Sequence, residues 1–150
     1  MTTDAAAAAV STCGRCGTRN RVPVARSGRV RCASCHADLP WLVDAGDDSF
    51  DDAVVRSSLP VLVDVWAPWC GPCRAVAPVV EQLSREFAGR LKVVKVNSDA
   101  APAVGRRHGI QSIPTLLLYR DGAERSRMIG ARPAAELRGW VAESLEGSSG

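Results

Sequence analysis

Long hydrophobic runs are absent from this chain of 150 residues, and no apolar stretch approaches the roughly 18 residues that a membrane-spanning helix needs. We also expect no secretory signal. The first ten residues have no basic segment, and the alanine run at positions 5–9 is too short and weakly apolar for a signal core. We therefore expect a cytoplasmic protein. Because thiols are kept reduced in that compartment, the six cysteines favour metal binding or redox catalysis over structural disulfides.

Large apolar side chains are scarce between positions 13 and 39, where Gly, Arg and Ser are frequent. A segment of this composition cannot bury enough surface to offset the entropy lost on ordering, so it needs a further stabilising feature such as a metal ion or a cross-link. Residues 1–43 hold six Arg and two Asp, whereas residues 44–150 hold thirteen Lys or Arg and fourteen Asp or Glu. The basic charge thus belongs to the N-terminal segment, which begins with a predicted disordered tail at residues 1–10.

Two Cys-x-x-Cys pairs in this segment have the spacing of a structural zinc site. Cys13 and Cys16 are separated by fifteen residues from Cys32 and Cys35, and four thiolates can close a tetrahedral shell around Zn²⁺. We predict a zinc ribbon over residues 11–39, with two short strands between the pairs at residues 21–24 and 28–31. Two disulfides or a second redox dithiol remain alternatives. Neither pair, however, is preceded by a buried strand or followed by a helical pattern that would stabilise a thiolate.

From residue 40 onward the sequence alternates between strand and helix patterns, in the order β-α-β-α-β-α-β-β-α. The predicted strands are residues 41–43, 60–66, 91–96, 115–119 and 125–129, and the predicted helices include residues 49–57, 71–88 and 133–145. A further short helix has Pro102 in its first turn and ends near Gly109. Ser49 and Asp99 are the predicted caps of two of these helices. The order implies an α/β domain over residues 40–146, with a central mixed sheet and helices on both faces. A frayed C-terminus is expected at residues 147–150.

A third pair, Cys70 and Cys73, lies where a predicted strand meets a predicted helix. Unpaired backbone N–H groups and the helix dipole would lower the pKa of Cys70 there and supply the thiolate that attacks a disulfide. Cys73 follows one turn later and would attack the resulting mixed disulfide, which releases the reduced substrate. Half of a metal site or two unrelated core cysteines are the alternatives, although the other four cysteines already form a complete ligand set.

Asp64 is a charged residue inside an otherwise apolar strand pattern. Since burying a carboxylate is costly, one interpretation is a solvated position at the edge of the sheet. The other is a buried acid whose raised pKa lets it take the proton of Cys73 as that thiol attacks. We favour the buried acid.

The stretch Val63-Asp64-Val65-Trp66-Ala67-Pro68-Trp69-Cys70-Gly71-Pro72-Cys73 resembles the active-site sequence of the thioredoxins. The resemblance spans residues 41–146 and continues, in the same order, through Pro78, Lys95-Val96-Asn97, Ile113-Pro114-Thr115 and Ile129-Gly130-Ala131. It implies a thioredoxin fold and protein-disulfide reductase activity, in which Cys70 attacks the substrate and Cys73 resolves the mixed disulfide.

The resemblance also implies roles for other matching residues. Lys95 would be the charged partner of Asp64, and Ile113-Pro114 would form a cis peptide that faces the dithiol and pairs with an extended substrate. The implied substrate-binding residues are Trp69, Gly71, Pro72, Ile113, Pro114, Gly130 and Ala131. The closest rival is a disulfide oxidase or isomerase. The absence of His between Cys70 and Cys73 favours a reducing couple instead.

The segment Cys16-Gly17-Thr18-Arg19-Asn20-Arg21-Val22-Pro23, together with the spacing of the four cysteines, resembles the bacterial thioredoxins that carry an N-terminal zinc ribbon. This resemblance implies one structural Zn²⁺ and no organic cofactor. It also implies disulfide-containing protein substrates and recycling by an NADPH-dependent flavoprotein thioredoxin reductase. We expect a monomer. Because zinc-bound thiolates remain oxidisable, the ribbon is a candidate for tuning activity or responding to oxidation.

Nucleic-acid binding is the rival function of another class, since six Arg lie between positions 15 and 31. The segment has no aromatic platform for stacking bases, and solvated Arg residues also keep a small ribbon without a core soluble. We therefore expect neither a nucleic acid nor a membrane as partner. His36 and His108 are both expected at the surface.

Overall fold

A computed structural model of the chain describes residues 8–26 and 28–146. A two-stranded sheet comprises β1 (Ala8–Thr12) and β2 (Arg19–Pro23). A five-stranded sheet comprises β3 (Leu42–Asp44), β4 (Val61–Trp66), β5 (Lys92–Asn97), β6 (Thr115–Arg120) and β7 (Ala123–Ile129). The helices are one π-helical turn (Asp51–Val55), α1 (Gly71–Glu86), α2 (Pro102–His108) and α3 (Ala134–Glu146). None of these described helices is long and apolar enough to cross a membrane.

The larger sheet has the strand order β3-β5-β4-β6-β7. Its first three strands are parallel, and β6 and β7 run antiparallel to their neighbours. Asp121 and Gly122 join β6 to β7 with positive φ angles of 55° and 79°, the backbone that a tight Asp-Gly hairpin requires. The mixed α/β architecture and the order of elements predicted from residue 40 onward are confirmed, with element ends shifted by one or two residues.

The larger sheet separates two hydrophobic clusters. One face packs against α1 and α3, through Leu62, Val93, Leu116 and Leu118 of the strands. The opposite face packs against the π-helical turn, α2 and the N-terminal segment. From that segment the second cluster contains Cys13, Val22, Val24, Val30, Cys32 and Leu39. The scarcity of apolar residues before position 40 is therefore met by sharing a core rather than by building a separate one.

The expected tail at residues 1–10 is wrong for its last three residues, because β1 begins at Ala8; residues 1–7 lie outside the described part of the chain. β1 pairs with β2 from Ala8 opposite Pro23 to Thr12 opposite Arg19, around the first cysteine pair. Of the two strands predicted between the cysteine pairs, the one at residues 21–24 is confirmed by β2, whereas the one at residues 28–31 is wrong. After β2, the described residues before β3 form a single isolated bridge, because Val24 and Val30 turn into the shared core instead.

Two predicted helix caps are incorrect. Ser49 caps no α-helix, since the residues after it form one π-helical turn without a side-chain cap, and Ser49 Oγ accepts instead from the amide of Gly46. Asp99 does not cap α2 either. The carboxylate of Asp47 accepts from the amides of Ala103 and Val104 at 3.1 and 2.9 Å, because the β3–π-turn connection brings it over the start of α2.

His108 is buried in the last turn of α2, contrary to the expectation of a surface position. Its Nδ1 lies 2.8 Å from the carbonyl of Val104 and its Nε2 lies 2.5 Å from the hydroxyl of Tyr119. The ring also packs edge-on against Phe50, with the centroids 5.2 Å apart. Because both ring nitrogens have partners, the core accommodates this polar side chain. His36 is exposed, as expected.

Lys92 and Trp41 join the N-terminal segment to the larger sheet. The Lys92 side chain is fully buried, and its Nζ donates to the carbonyls of Val24 at 2.5 Å and Ala53 at 2.7 Å. The same ammonium lies 4.4 Å from the centre of the Trp41 ring, and Trp41 Nε1 donates to the carbonyl of Pro23 at 2.9 Å. The segment is thus fixed to the sheet by buried polar bonds as well as apolar packing.

Candidate active site and four-cysteine cluster

Cys70 and Cys73 form a disulfide at the start of α1, with their Cα atoms 5.3 Å apart. Cys70 is the N-cap residue of this 16-residue helix, and the backbone amide of Cys73 donates to Cys70 Sγ at 3.2 Å. Both side chains are buried. The Cys70 sulfur therefore lies where the free amides and dipole of a long helix favour negative charge, as the sequence predicts.

The loop before β6 faces this disulfide. The Ile113–Pro114 peptide is cis, as predicted, and the carbonyl oxygen of Ile113 lies 3.9 Å from Cys70 Sγ. Gly130 reaches the same loop, since its amide donates to the carbonyl of Pro114 at 2.8 Å with a φ of 92°, which glycine adopts without strain. The structure thus brings Cys70, Ile113, Pro114 and Gly130 together.

Trp69 and α2 frame an open groove next to Cys70. The Trp69 side chain is 68% exposed, and its Nε1 lies 3.1 and 3.2 Å from the two carboxylate oxygens of Asp99. The groove has a volume of about 700 Å³. Its lining consists of Trp69, Ser98, Pro102, Gly105, Arg106, Gly109, Ile110, Gln111, Ser112 and Ile113.

The predicted substrate-binding residues occupy two settings. Trp69 and Ile113 line the groove, while Gly71 and Pro72 are exposed in the first turn of α1. Ala131 is exposed after β7 and is not part of the groove lining. Sequence reasoning missed the contribution of α2. A signal was available, because a short helix that directly follows a strand of the parallel part of the sheet begins at the same sheet edge as α1.

Asp64 and Lys95 lie opposite each other on the neighbouring parallel strands β4 and β5. Asp64 is almost completely buried in the centre of the sheet, so the alternative of a solvated edge position is wrong. Its Oδ2 lies 3.8 Å from Lys95 Nζ, and its buried Oδ1 has no hydrogen-bond partner among the described residues. Burial raises the pKa of Asp64 to about 6, and the Lys95 ammonium offsets this rise only in part.

A small cavity of about 120 Å³ lies between Cys73 and Lys95. Trp66, Ala67, Pro68, Arg74 and Ala77 complete its lining. The Lys95 ammonium also lies 5.1 Å from the centre of the Trp66 ring, which covers it from solvent. A cavity of this size accommodates water next to the Cys73 sulfur and the Lys95 ammonium.

The remaining four cysteines converge on one point in the N-terminal segment. The Sγ atoms of Cys13, Cys16, Cys32 and Cys35 all lie within 4.8 Å of one another. The closest contacts join the two pairs, at 3.6 Å between Cys13 and Cys35 and 3.5 Å between Cys16 and Cys32. Four sulfurs at a tetrahedral Zn–S distance of about 2.3 Å are about 3.8 Å apart, so this set fits a zinc ion.

Both cysteine pairs sit in turns of the same design. Gly17 N donates to Cys13 O and His36 N donates to Cys32 O, each at 2.9 Å. Gly17 and His36 both have positive φ, 80° and 65° respectively. The amides of Arg15 and Ser34 point at the sulfurs of Cys13 and Cys32 at 3.4 Å. The repeated geometry presents two thiols from each turn to one centre, as metal-binding turns do.

Comparison with known proteins identifies relatives of the larger unit. The family model described as Thioredoxin matches residues 42–143, which begin after the four-cysteine cluster. "Thioredoxin 1" of Synechococcus elongatus and "Thioredoxin" of Synechocystis sp. are each 50% identical over 99 residues, which is 66% of this chain and 92% of the relative. "Thioredoxin M4, chloroplastic" of Arabidopsis thaliana is 37% identical over 134 residues, covering 86% of this chain and 68% of the relative.

Proposed function

Because the chain belongs to the thioredoxin family and is a thiol–disulfide oxidoreductase, we propose that Cys70 attacks substrate disulfides and Cys73 resolves the mixed disulfide. The observation that carries this assignment is the N-cap position of Cys70, whose sulfur accepts the Cys73 amide at 3.2 Å. A thiolate at that position has a lowered pKa and is reactive near neutral pH. Cys73 lies one turn into the helix, behind Cys70.

The reaction transfers two electrons from the dithiol to the substrate. The Cys70 thiolate forms a bond to one substrate sulfur while the substrate disulfide breaks, and the second substrate sulfur leaves as a thiolate that takes a proton. Cys73, once deprotonated, attacks Cys70 Sγ and expels the first substrate sulfur as a thiolate. The products are the Cys70–Cys73 disulfide and a reduced substrate.

Asp64 is the proposed base for Cys73, and Lys95 its charge partner. A carboxyl whose pKa is about 6 can accept a thiol proton and release it again near neutral pH. The 120 Å³ cavity that Cys73 and Lys95 share supports a route for this proton through water. Lys95 acts by keeping part of the Asp64 population ionised, since its ammonium lies 3.8 Å from the carboxylate.

The proposed substrate-binding surface surrounds Cys70. The backbone at the Ile113–Pro114 bond, whose Ile113 carbonyl lies 3.9 Å from Cys70 Sγ, is proposed to pair with an extended substrate, while Trp69 covers one side of the attacked disulfide. The other proposed contacts are Gly71, Pro72, Gly130 and Ala131. Recognition of backbone and sulfur rather than of side chains suits a reductase with many protein substrates.

The N-terminal cysteines are the proposed ligands of one structural Zn²⁺, in a ribbon over residues 11–39 that precedes a thioredoxin domain over residues 40–146. Cys13, Cys16, Cys32 and Cys35 would hold the ion in a closed shell, which leaves no position for substrate and supplies folding energy rather than chemistry. We propose on this basis that the chain is one of the bacterial thioredoxins with an N-terminal zinc ribbon. Oxidation of these thiolates would release the metal, so the ribbon would tune reductase activity.

Members of the family act on disulfide substrates and are reduced by thioredoxin reductase. For this chain we propose an NADPH-dependent flavoprotein reductase as the electron donor, a cytoplasmic location and a monomeric state. A reducing role is favoured over that of an oxidase or isomerase because Gly71 and Pro72 place no cation beside the Cys70 thiolate.

Trapping of the mixed disulfide tests the order of attack. Cys73→Ser should accumulate a covalent complex with a disulfide substrate such as insulin through Cys70, and Cys70→Ser should form none. Mass spectrometry of the complex identifies the linked cysteine. A complex formed only by Cys70→Ser would reverse the assignment, and the absence of a complex with either variant would refute the two-step mechanism.

A further inference from the structure

Arg106 is the charged residue among the described residues that line the groove. It lies in the last turn of α2, is exposed and lines the groove together with Trp69 and Ile113. Among residues 8–26 and 28–146, no carboxylate lies within ion-pairing distance of Arg106. The neighbouring Arg107 differs, since its guanidinium pairs with Asp51 at 2.6 Å. Arg107 thus holds α2 to the π-helical turn, whereas Arg106 faces the groove.

The other charges near the groove leave this positive charge uncompensated. No acidic residue is part of the groove lining. Asp99 contacts the groove residue Trp69, and both of its carboxylate oxygens accept from Trp69 Nε1. The exposed Arg74, four residues after Cys70 in α1, donates to the carbonyl of Pro68 at 2.9 Å and adds a second positive charge. A substrate segment that enters the groove therefore meets the positive charge of Arg106 on α2.

We propose that Arg106 makes this groove select disulfides flanked by an acidic residue, through an ion pair with a carboxylate on the side of the substrate that faces α2. The inference rests on the proposed function, because it assumes that the attacked disulfide lies at Cys70 with its chain along the groove. A carboxylate fits because a guanidinium presents several N–H donors in a planar fork that matches two oxygens.

The effect is modest and depends on salt. An exposed ion pair of this kind changes a rate constant about three-fold, because solvent screens both charges. It falls as ionic strength rises, since the Debye length shortens from about 30 Å at 0.01 M to about 8 Å at 0.15 M. Arg106 also stabilises the C-terminal end of α2 through the helix dipole. That structural role affects all substrates equally, so a ratio of rates separates the two.

The test compares three disulfide-bonded peptides that differ only in having Glu, Gln or Lys beside one cysteine. With the full chain at low salt, kcat/KM should be about three-fold higher for the Glu peptide than for the Lys peptide. Arg106→Gln should bring this ratio towards one, and Arg106→Glu should invert it. Arg125→Glu is the matched control, because it makes the same charge change near the β6–β7 turn, at the opposite end of the sheet from Cys70. It should keep the ratio of the unaltered protein.

The Gln peptide gives the rate without a charge beside the cysteine, and the results distinguish failure of the inference about Arg106 from failure of the proposed reductase function. If all three peptides are reduced at equal rates, or if Arg106→Glu leaves the ratio unchanged, the inference about Arg106 is wrong while the reductase function stands. If Arg125→Glu shifts the ratio as much as Arg106→Glu, the preference reflects net charge and the assignment to Arg106 is overturned. If none of the peptides is reduced, the proposed function fails, and the inference with it.

Discussion

The Cys70–Cys73 pair and the four-cysteine cluster use the same Cys-x-x-Cys spacing in different surroundings. Cys70 and Cys73 begin a 16-residue helix that follows a buried strand, so one sulfur receives amides and a helix dipole. Each of the other pairs sits in a tight turn of the N-terminal segment with no helix after it, and its nearest sulfurs belong to the other pair. We infer that the element that follows the cysteines, rather than their spacing, separates the redox pair from the pairs that we propose bind a metal.

The two regions also differ in how they are stabilised. The five-stranded sheet has apolar residues on both faces, whereas the N-terminal segment buries six side chains into a cluster that it shares with that sheet. The segment thus depends on the larger unit for its core and, as we propose, on a metal for its turns.

Removing one member of each cysteine set gives the largest expected contrast. Cys70→Ser should abolish insulin reduction and leave metal content unchanged, because the nucleophile is lost. Cys32→Ser should lose the metal, because the closed shell needs four ligands, and it should alter the rate of insulin reduction without abolishing it, because the dithiol lies elsewhere. Insulin reduction and metal content by atomic emission give both readouts. Loss of metal in Cys70→Ser, or full loss of activity in Cys32→Ser with a folded sheet, would break the contrast.

Replacing a buried and an exposed tryptophan sharpens the comparison of the two cores. Trp41→Ala should lower the free energy of unfolding by about 3–5 kcal/mol. It leaves a cavity where the N-terminal segment packs against the larger sheet, and it removes the ring above Lys92. Trp69→Ala should change that free energy by about 0.5 kcal/mol or less, since this ring is 68% exposed, and should instead lower kcat/KM. Denaturant unfolding and insulin reduction measure the two effects. Equal stability losses would contradict the shared core.

Asp64→Asn should stabilise the protein at pH 7 while slowing its turnover. Burial raises the pKa of Asp64 from 3.8 to about 6, so the folded state binds the proton more tightly than the unfolded state. The stabilisation that comes from this proton is fully present below pH 3.8 and is lost as the pH rises through 6. At pH 7 the free energy of unfolding is therefore lower by roughly 3 kcal/mol. Asn avoids this cost. Its advantage in unfolding experiments should therefore vanish near pH 4.

A control at an exposed carboxylate separates the Asp64 effect from general charge. Asp48→Asn removes a charge at the surface and should change neither the stability profile nor the pH dependence of turnover. An Asp64→Asn protein whose pH–rate profile matches that of the unaltered protein would remove Asp64 from the mechanism.

Lys92→Met gives the smallest expected effect and tests the junction between the two regions. Burial lowers the pKa of Lys92 from 10.5 to about 8, so the unfolded chain binds more protons between these values. Stability should consequently rise with pH across this window, by about 2 kcal/mol between pH 7 and pH 10. Lys92→Met should remove this rise, measured by unfolding at both pH values. Arg90→Met, a change at an exposed cation two residues away, should retain it.

The sequence predicted the elements from residue 40 onward because each one has a local signal. The Asp121-Gly122 turn, the apolar run of β4 and the helical spacing after Cys70 depend on neighbouring residues alone. The misses have a common cause. The pairing of β1 with β2, the Asp47 cap on α2 and the burial of His108 each depend on a partner that no local pattern names.

Lys92 illustrates the same limit within one strand. A charged residue in an apolar run signalled burial at Asp64, and Lys92 in β5 carries the same signal. Its partners are the carbonyls of Val24 and Ala53, which are 68 and 39 residues away in the chain. Because backbone carbonyls have no sequence signature, the partners of Lys92 could not be predicted from the sequence.

By itself the sequence determined the fold class, the strand–helix junction at Cys70 and the two sets of cysteines, because periodicity and spacing are local properties of a chain. The tertiary structure alone decided that the N-terminal segment shares a core with the sheet, and that Arg106 faces the groove while Arg107 does not. Such arrangements depend on which surfaces meet when the chain closes, and burial and pairing energies over the whole molecule determine that outcome.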